Sequence, residues 1–303
     1  MSFLEVIEGA IRSPFVAGFD LDWTLVRPRY GLTAKNINDW ALLPTVLDWL
    51  KQYQQSYTIA IFTNEIYTGK KLTMMVDRVH RIVDELRSEG IHPWVFIAKR
   101  IENIAKPQAT MFRELSRRME IDHSQSFYVG DMAGREQDIA SVDADFAHNC
   151  AISFRTPDSI FPPANYNILH RHPTIFVFVG MPGSGKTTYY ERYLQPLGCV
   201  SANQDTLRTF ERVLSATESS VANGQSVAVD CLNPAQERRE KFLSIARRYQ
   251  VPAMIVHFVG NGVGWNATRE HPVPAVAYNS YFKYFEEPHE NVDGVPVVEI
   301  WNF

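Results

Sequence analysis

The sequence predicts two consecutive α/β domains, each built on a parallel sheet. The 303 residues are more than one compact core usually organises, so about two domains of 100 to 150 residues are expected. Short β-rich runs alternate with helical periodicity through both halves of the chain. Strands separated by helices form parallel sheets with right-handed crossovers.

The N-terminal half carries the first alternation of strands and helices. Strands are expected at residues 15–19, 57–62, 94–98 and 127–130, and a helix is expected over 72–86. The positions at helical spacing in that helix are Val76, Val79, His80, Val83 and Leu86.

A connector is expected after residue 155, because three prolines and several turn-forming residues lie between residues 155 and 167. The second alternation follows, with strands expected at 174–179, 226–230 and 253–259. The predicted organisation is therefore a first domain over 1–155, a linker over 156–172 and a second domain over 173–303.

The composition is that of an ordinary globular protein, with 45% hydrophobic and 21% charged residues, which excludes disordered and fibrous classes. The acidic N-terminus does not resemble a signal peptide, and no apolar run approaches membrane-spanning length. Three cysteines without metal-type spacing favour reduced thiols. An intracellular location is expected, in the nucleus or cytoplasm, with no membrane partner. The net charge of −4 disfavours non-specific coating of nucleic acid.

Two aspartates, Asp20 and Asp22, follow the first predicted strand of the N-terminal half, in the run Phe19-Asp-Leu-Asp-Trp-Thr24. The carboxyl edge of a parallel sheet is where open α/β folds bind ligands. Alternate residues of an extended strand point the same way, so one carboxylate can attack phosphorus while the other manages protons.

Three later features also lie near predicted strand ends: Thr63-Asn64, Lys106 before Pro107, and Gly130-Asp131. This ordered set resembles the haloacid dehalogenase superfamily, which implies a Rossmann-like phosphatase domain. The resemblance implies that Asp20 is the nucleophile and Asp22 the general acid and base. It also implies that Thr63 and Lys106 hold and neutralise the phosphoryl oxygens and that Asn64 binds substrate. Asp20, Asp131 and the backbone carbonyl of Asp22 would bind Mg²⁺.

The chain departs from this superfamily at Trp23, where glycine is common. The indole is expected either to narrow the mouth of the site or to stack on a base. Two further carboxylates, Asp138 and Asp143, are each expected either to support the metal loop or to be solvated or helix-capping, and Asp138 is the preferred candidate for the loop.

The C-terminal half carries a glycine-rich loop, Gly180-Met-Pro-Gly-Ser-Gly-Lys-Thr187, between an apolar strand and a predicted helix. Such a loop lets backbone N–H groups and a helix N-terminus bind the phosphates of ATP. Lys186 is expected to bridge phosphates and Thr187 to reach Mg²⁺. The residues expected to bind the nucleotide are Gly180, Gly183, Ser184, Gly185, Lys186, Thr187 and Thr188.

Two segments at later strand ends complete the C-terminal site. Asp205, in Ala202-Asn-Gln-Asp-Thr-Leu, is placed to accept a hydroxyl proton. In Val229-Asp-Cys-Leu-Asn-Pro234, Asp230 is expected to orient the water shell of the metal and Asn233 to organise the turn.

This second set resembles polynucleotide 5′-hydroxyl kinases, and the whole chain resembles the bifunctional polynucleotide kinase 3′-phosphatase family from about residue 14 onward. The resemblance implies a C-terminal P-loop kinase domain with Asp205 as general base. It also implies that Arg208 contacts a phosphate of the substrate. Arg269, in a lid, would stabilise the phosphoryl group during its transfer. The family often has arginine in place of Gln204. The family's N-terminal phosphopeptide-binding module is not expected here.

The arginines of the helix beyond Pro234 are expected to decorate solvated faces or to contact a nucleic-acid backbone. They are Arg238, Arg239, Arg247 and Arg248.

The expected function is nucleic-acid end healing, with Mg²⁺ and ATP as cofactors. Its substrates would be DNA or RNA ends that carry a 5′-hydroxyl or a 3′-phosphate, and a ligase would use the products. The alternative is a metabolic kinase and phosphatase that acts on a small sugar or nucleotide.

Overall fold

The structure, a computed structural model, describes residues 3–136, 138–161, 173–260, 262–267 and 272–301. The chain divides into two compact units, Met1–Pro163 and Ala164–Asn302. Each unit has its own sheet and its own buried core, as the alternation of strands and helices predicts.

The first unit is an α/β fold on a six-stranded sheet in the order β1-β6-β5-β2-β7-β8. Its neighbours pair in parallel, except that β1 runs antiparallel to β6, and β3 and β4 form a separate antiparallel pair. The strands are β1 (Leu4–Ile7), β2 (Val16–Phe19), β3 (Val26–Arg27), β4 (Ala41–Leu42), β5 (Thr58–Asn64), β6 (Trp94–Ala98), β7 (Phe127–Val129) and β8 (Ser153–Arg155). The helices are α1 (Val46–Tyr53), α2 (Gly69–Ser88), α3 (Thr110–Ser116), α4 (Val142–Asn149) and α5 (Pro157–Ile160).

Aromatic side chains fill much of the first core. Phe62 on β5 stacks on Phe96 of β6 and contacts Tyr128 of β7 and Phe146 of α4, with ring centroids 5.2 to 6.2 Å apart. All four rings are fully buried. Central strands that are buried on both faces consist almost entirely of apolar residues. Such strands can therefore be recognised in the sequence.

The connector prediction is wrong for residues 156–161. Pro157 takes the first position of α5, where a proline costs no helical hydrogen bond. The ring of Phe161, which is 1% exposed, stacks on Phe19 at the end of β2 with centroids 6.0 Å apart. These residues therefore pack on the first unit, and the rest of the predicted linker, residues 162–172, lies outside the described residues.

The second unit has a five-stranded parallel sheet in the order β10-β11-β9-β12-β13. The strands are β9 (Ile175–Val179), β10 (Val200–Asn203), β11 (Val227–Asp230), β12 (Ala253–Phe258) and β13 (Val297–Ile300). The helices are α6 (Lys186–Tyr189), α7 (Gln204–Leu207), α8 (Phe210–Ala222), α9 (Gln236–Tyr249), α10 (Gly262–Ala267), α11 (Ala275–Tyr284) and α12 (Glu290–Asp293).

A buried ion pair joins α9 to α12, so the expectation that Arg239 lies on a solvated face is wrong. Its Nε donates to Oδ1 of Asp293 at 2.8 Å, and both side chains are 0% exposed. Nη1 donates to the carbonyl oxygens of Pro234 and Glu286 at 3.0 and 2.9 Å. Arg239 therefore ties three segments of the second unit together.

Replacing Arg239 by methionine is expected to destabilise the second unit by about 3 to 5 kcal/mol, because Asp293 would keep a buried charge without its partner. Calorimetric unfolding of the whole chain measures this. Arg247→Met is the matched control, since Arg247 lies on the same helix with its side chain 57% exposed. An Arg239→Met protein that unfolds with the wild-type profile would contradict the assignment.

Within the described ranges, none of the helices combines the length and the apolar character that crossing a bilayer requires.

Candidate active sites

Three neighbouring strands of the first sheet end at one edge and bring the predicted N-terminal residues together. Strand β2 lies between β5 and β7, and all three run in parallel. Asp20 follows β2, Thr63 lies near the end of β5, and Asp131 follows β7 by two residues. The N–H of Asp20 donates to the carbonyl oxygen of Val129 at 2.8 Å, which fixes the backbone beside the carboxylate.

Lys106 lies at the centre of this edge. Its Nζ donates to Asp20 at 2.5 Å, to Asp143 at 2.7 Å and to the hydroxyl of Tyr128 at 2.8 Å, with the lysine side chain 4% exposed. Burial works to lower the pKa of Lys106, but the carboxylates of Asp143 and Asp20 raise it above its usual value. The lysine is therefore a fixed cation beside the predicted nucleophile.

Three carboxylates converge beside this lysine. Asp20, Asp131 and Asp143 each offer one oxygen, and these oxygens lie within 4.8 Å of one another. Burial and then the charge of Asp20 raise the pKa of Asp131, while burial outweighs Lys106 and raises the pKa of Asp20. A hard divalent cation prefers such oxygen ligands and would relieve the repulsion between them. The donor set fits Mg²⁺.

Asp138 supports the loop that follows Asp131, whereas Asp143 enters the site itself and contacts Lys106. Asp138 accepts from the backbone N–H groups of Ala133 and Arg135 at 2.9 and 3.0 Å and pairs with the Arg135 guanidinium, so it shapes the loop. Asp143 reaches the site because residue 130 is glycine. A Cβ there would lie 2.4 Å from Cγ of Asp143.

Asp22 is held by an arginine that sequence reasoning missed. Nη2 and Nη1 of Arg78, on α2, donate to the two carboxylate oxygens of Asp22 at 2.5 and 3.0 Å. The Arg78 side chain is 0% exposed, whereas that of Asp22 is 33% exposed. A signal existed in the sequence, because Arg78 lies three residues after the buried Met75 and one before Val79, on the buried face of the helix.

Glu65 is a second residue that the motifs did not indicate. It is 2% exposed, and its carboxyl group lies 3.3 Å from the hydroxyl of Thr63, which donates to it. Burial first, and then the charge of Asp22, raise the pKa of Glu65 to about 8. Burial thus disfavours the charged form of this carboxyl group beside Thr63.

Asn64 was expected to bind substrate, but its amide is used inside the protein. Its Oδ1 accepts from the N–H of Lys106 at 2.9 Å, and its Nδ2 donates to the carbonyl oxygen of Lys106 at 3.1 Å. The amide thus fixes the backbone of the lysine that contacts Asp20. Asn64 acts on the site through Lys106.

Trp23 is buried and does not present its ring for stacking on a base, so that expectation is wrong, and the narrowing of the mouth stays a prediction. It is 8% exposed, and its indole N–H donates to the carbonyl oxygen of Leu32 at 3.3 Å. Its φ is 61°, in the left-handed region that favours glycine. The tryptophan therefore anchors the loop after the motif at the cost of an unfavourable backbone conformation.

Trp23→Gly is expected to destabilise the first unit by a net of about 2 to 3 kcal/mol, because the lost aromatic packing exceeds the relief of backbone strain. Thermal unfolding measures this. Ala151→Gly is the matched control, since Ala151 is exposed at a φ of 54° and should gain stability. A Trp23→Gly protein at least as stable as the wild type would show that the indole contributes no packing.

The glycine-rich loop of the second unit lies between β9 and α6, as expected. Gly183 and Gly185 have φ of 78° and 83°, and a Cβ on Gly183 would lie 2.2 Å from the carbonyl oxygen of Gly262. Nζ of Lys186, which is 8% exposed, donates to the carbonyl oxygens of Gly180 and Met181 at 2.8 and 2.7 Å. The ammonium group thus lies within the loop that would surround the phosphates.

Thr187, the residue after Lys186, contacts the carboxylate of Asp230. Its hydroxyl donates to Oδ2 of Asp230 at 2.8 Å, and the same oxygen accepts from the amide of Asn203 at 2.7 Å. Asp230 therefore stands at the end of β11 beside the residue expected to reach the metal, which fits its predicted role. Asn233 is fully buried, with its Nδ2 donating to the carbonyl oxygen of Phe178 at 2.8 Å, as a turn-organising residue should be.

Asp205 lies in α7, which Asn203 caps by accepting from the N–H groups of Asp205 and Thr206 at 2.8 and 3.1 Å. The Asp205 side chain is exposed and has no partner among the described residues, so it is accessible to a hydroxyl. Arg208 is also exposed and has a φ of 74°. Arg269 lies outside the described residues.

Arg238 differs from the solvated arginine that was expected. Its Nη2 donates to the side-chain oxygen of Gln204 at 2.6 Å, and its guanidinium lies 4.1 Å from the ring centroid of Phe210. Arg238 is therefore held against Gln204, the residue before Asp205.

Comparison with known proteins identifies relatives of both halves. A model of the polynucleotide kinase 3 phosphatase family matches residues 15–161. A bifunctional polynucleotide phosphatase/kinase of Schizosaccharomyces pombe is 28% identical over an alignment that covers 95% of this chain and 82% of the relative. The polynucleotide 3′-phosphatase ZDP of Arabidopsis thaliana is 28% identical over 54% of this chain and 26% of its own length. An uncharacterized 20.8 kDa protein of Autographa californica nuclear polyhedrosis virus is 32% identical over 50% of this chain and 88% of its own.

Proposed function

The chain belongs to the polynucleotide kinase 3 phosphatase family, and we propose that it heals nucleic-acid ends for strand-break repair. The first unit removes 3′-phosphates, and the second transfers a phosphoryl group from ATP to 5′-hydroxyls. The observation that carries this proposal is the buried cluster of Asp20, Lys106 and Asp143, together with a nucleotide loop in the other unit. The products are the 5′-phosphate and 3′-hydroxyl that a ligase joins.

The phosphatase reaction proceeds in two steps. In the first, an oxygen of Asp20 attacks phosphorus, the bond from phosphorus to the 3′-oxygen breaks, and Asp22 gives its proton to that oxygen. In the second, water attacks phosphorus of the aspartyl-phosphate and gives a proton to Asp22, which releases phosphate and regenerates Asp20. Lys106 and Thr63 stabilise the phosphoryl oxygens.

The carboxylates of Asp20, Asp131 and Asp143 would hold a magnesium ion. The ion, when bound, would neutralise charge on the phosphoryl oxygens.

The kinase reaction is a single transfer. Asp205 accepts the proton of the 5′-hydroxyl as its oxygen attacks the γ-phosphorus, and the bond to the ADP oxygen breaks. Lys186 moves from the loop carbonyls to the phosphates, and Thr187 and Asp230 would hold the magnesium ion of the nucleotide. Arg208 contacts a phosphate of the substrate strand.

The competing proposal is a metabolic enzyme that acts on a small sugar or nucleotide. Turnover is therefore to be measured with ATP and Mg²⁺ on paired DNA and RNA oligonucleotides carrying 5′-hydroxyl and 3′-phosphate ends, and on mononucleotides. Our proposal requires a clear preference for oligonucleotides in both reactions. Equal turnover of mononucleotides would favour the metabolic alternative.

A further inference from the structure

The ion pair between Asp22 and Arg78 is the strongest feature of the first unit that the proposed mechanism does not use. The guanidinium contacts both oxygens of the carboxylate, in the end-on geometry that fixes a carboxylate in orientation as well as in position. Lys106 donates to one oxygen of Asp20 from another part of the chain. The two carboxylates of the motif thus have separate cationic partners.

Stability alone does not account for this arrangement. A buried ion pair is often no more stable than apolar residues of similar volume. Arg78 lies in the buried face of α2 beside Met75 and Val79, and its Nε is buried without a hydrogen-bond partner, which costs free energy. The carboxylate of Asp22 is a third exposed and does not need a buried partner in order to be solvated.

The exposures of the two side chains indicate what the pair does. The arginine side chain is fully buried, whereas a third of the Asp22 side chain is exposed, two residues beyond Asp20. A carboxylate offers about four lone-pair positions, so each oxygen keeps capacity after it accepts from Arg78. An unpaired aspartate would sample other staggered rotamers and lose this alignment.

We propose that Arg78 is a positioning residue that aligns Asp22 for proton transfer to the departing 3′-oxygen. The inference rests on the proposed phosphatase function. Arg78 keeps its protons throughout and only donates hydrogen bonds. When Asp22 carries the proton to be transferred, that oxygen faces the substrate and the other still accepts from Arg78.

If Arg78 aligns Asp22 for proton transfer, its loss should affect substrates differently according to their leaving groups. A purely structural role of Arg78 would not have this effect. A ribose 3′-oxygen needs a proton as it leaves, whereas p-nitrophenolate leaves well without one. Loss of Arg78 should therefore slow the first step on a 3′-phosphate strand and leave it nearly unchanged on p-nitrophenyl phosphate. A general distortion of the site would slow both substrates alike.

The experiment uses the full chain with Mg²⁺ and compares Arg78→Met with the wild type in two pre-steady-state measurements. The first is the single-turnover rate of 3′-hydroxyl formation on an oligonucleotide, which we expect to fall by about 10²- to 10³-fold, within the range of general-acid contributions. The second is the burst rate of p-nitrophenolate release, which we expect to fall by at most about threefold.

Arg81→Gln is the matched control, because Arg81 lies on the same helix, is exposed and donates to the side chain of Asn38 at 3.1 Å. It should match the wild type with both substrates. Equal losses for Arg78→Met on the two substrates, or no loss on either, would overturn the inference. A wild-type protein inert towards 3′-phosphate strands would instead refute the proposed function.

Arg78→Lys keeps the inference testable if the methionine variant does not fold. A lysine retains the charge and loses the two-point contact, so an intermediate loss with the same dependence on the leaving group is expected. A lysine variant with the full wild-type rate on the oligonucleotide would also overturn the inference.

Discussion

Replacing Asp20 with asparagine is expected to abolish 3′-phosphatase activity and to leave the 5′-kinase unchanged. The amide has the shape of the carboxylate but cannot form the aspartyl-phosphate, and loss of a nucleophile typically costs about 10⁴-fold or more in rate. Lys106 keeps an oxygen to donate to, so the local structure should survive. The measurement is phosphate release from a 3′-phosphate oligonucleotide, alongside transfer to a 5′-hydroxyl in the same preparation.

Two other carboxylates of the first unit serve as controls. Asp138→Asn should retain most of the phosphatase activity, because that side chain holds loop amides and Arg135. Asp143→Asn should lose activity, because the neutral amide removes the charge that pairs with Lys106 and one of the three carboxylates that fit Mg²⁺. If Asp20→Asn removed both activities in a folded protein, the two sites would not be independent.

Lys186→Ala is expected to have the opposite effect, with loss of the kinase and full retention of the phosphatase. The residue is the cation of the nucleotide loop, and without it the charge developing on the transferred phosphoryl group is not compensated. We expect a fall in the transfer rate of about 10³-fold, similar to the loss of other preorganised electrostatic contacts. Transfer of labelled phosphate from ATP to a 5′-hydroxyl oligonucleotide measures it.

The control for this variant is Lys283→Ala, which removes an exposed lysine of the same unit. It should transfer phosphate at the wild-type rate. A Lys186→Ala protein that still phosphorylates 5′-hydroxyls at the control rate would show that the loop does not serve the transfer.

The candidate residues of the first site could be grouped from the sequence because they lie at the ends of neighbouring parallel strands. In a parallel sheet, the carboxyl ends of neighbouring strands meet at one edge, so Asp20, Thr63 and Asp131 could be grouped before any contact was known. The glycine-rich loop was evident for a similar reason. Its spacing alone specifies a backbone conformation that binds phosphate.

Residues that act through distant contacts were not predictable in this way. Arg78 meets Asp22 across 56 positions, and Asp143 meets Lys106 across 37, so only the packing of α2 and α4 on the sheet brings them together. Arg239 was misassigned although it shares the buried face of α9 with Phe242 and Leu243, because its partner Asp293 lies 54 positions away. Trp23 was misassigned because the motif does not indicate what its ring contacts. Their environments depend on the whole core.

The most direct test of the account is to identify the phosphorylated residue in the first unit. An oligonucleotide with a radiolabelled 3′-phosphate is mixed with the wild-type chain and Mg²⁺ and quenched in acid during a single turnover, and the labelled peptide is sequenced by mass spectrometry. We predict a transient, hydroxylamine-labile label on Asp20 that disappears as inorganic phosphate forms. Label on another residue, or product formation with no labelled protein at any time, would contradict it.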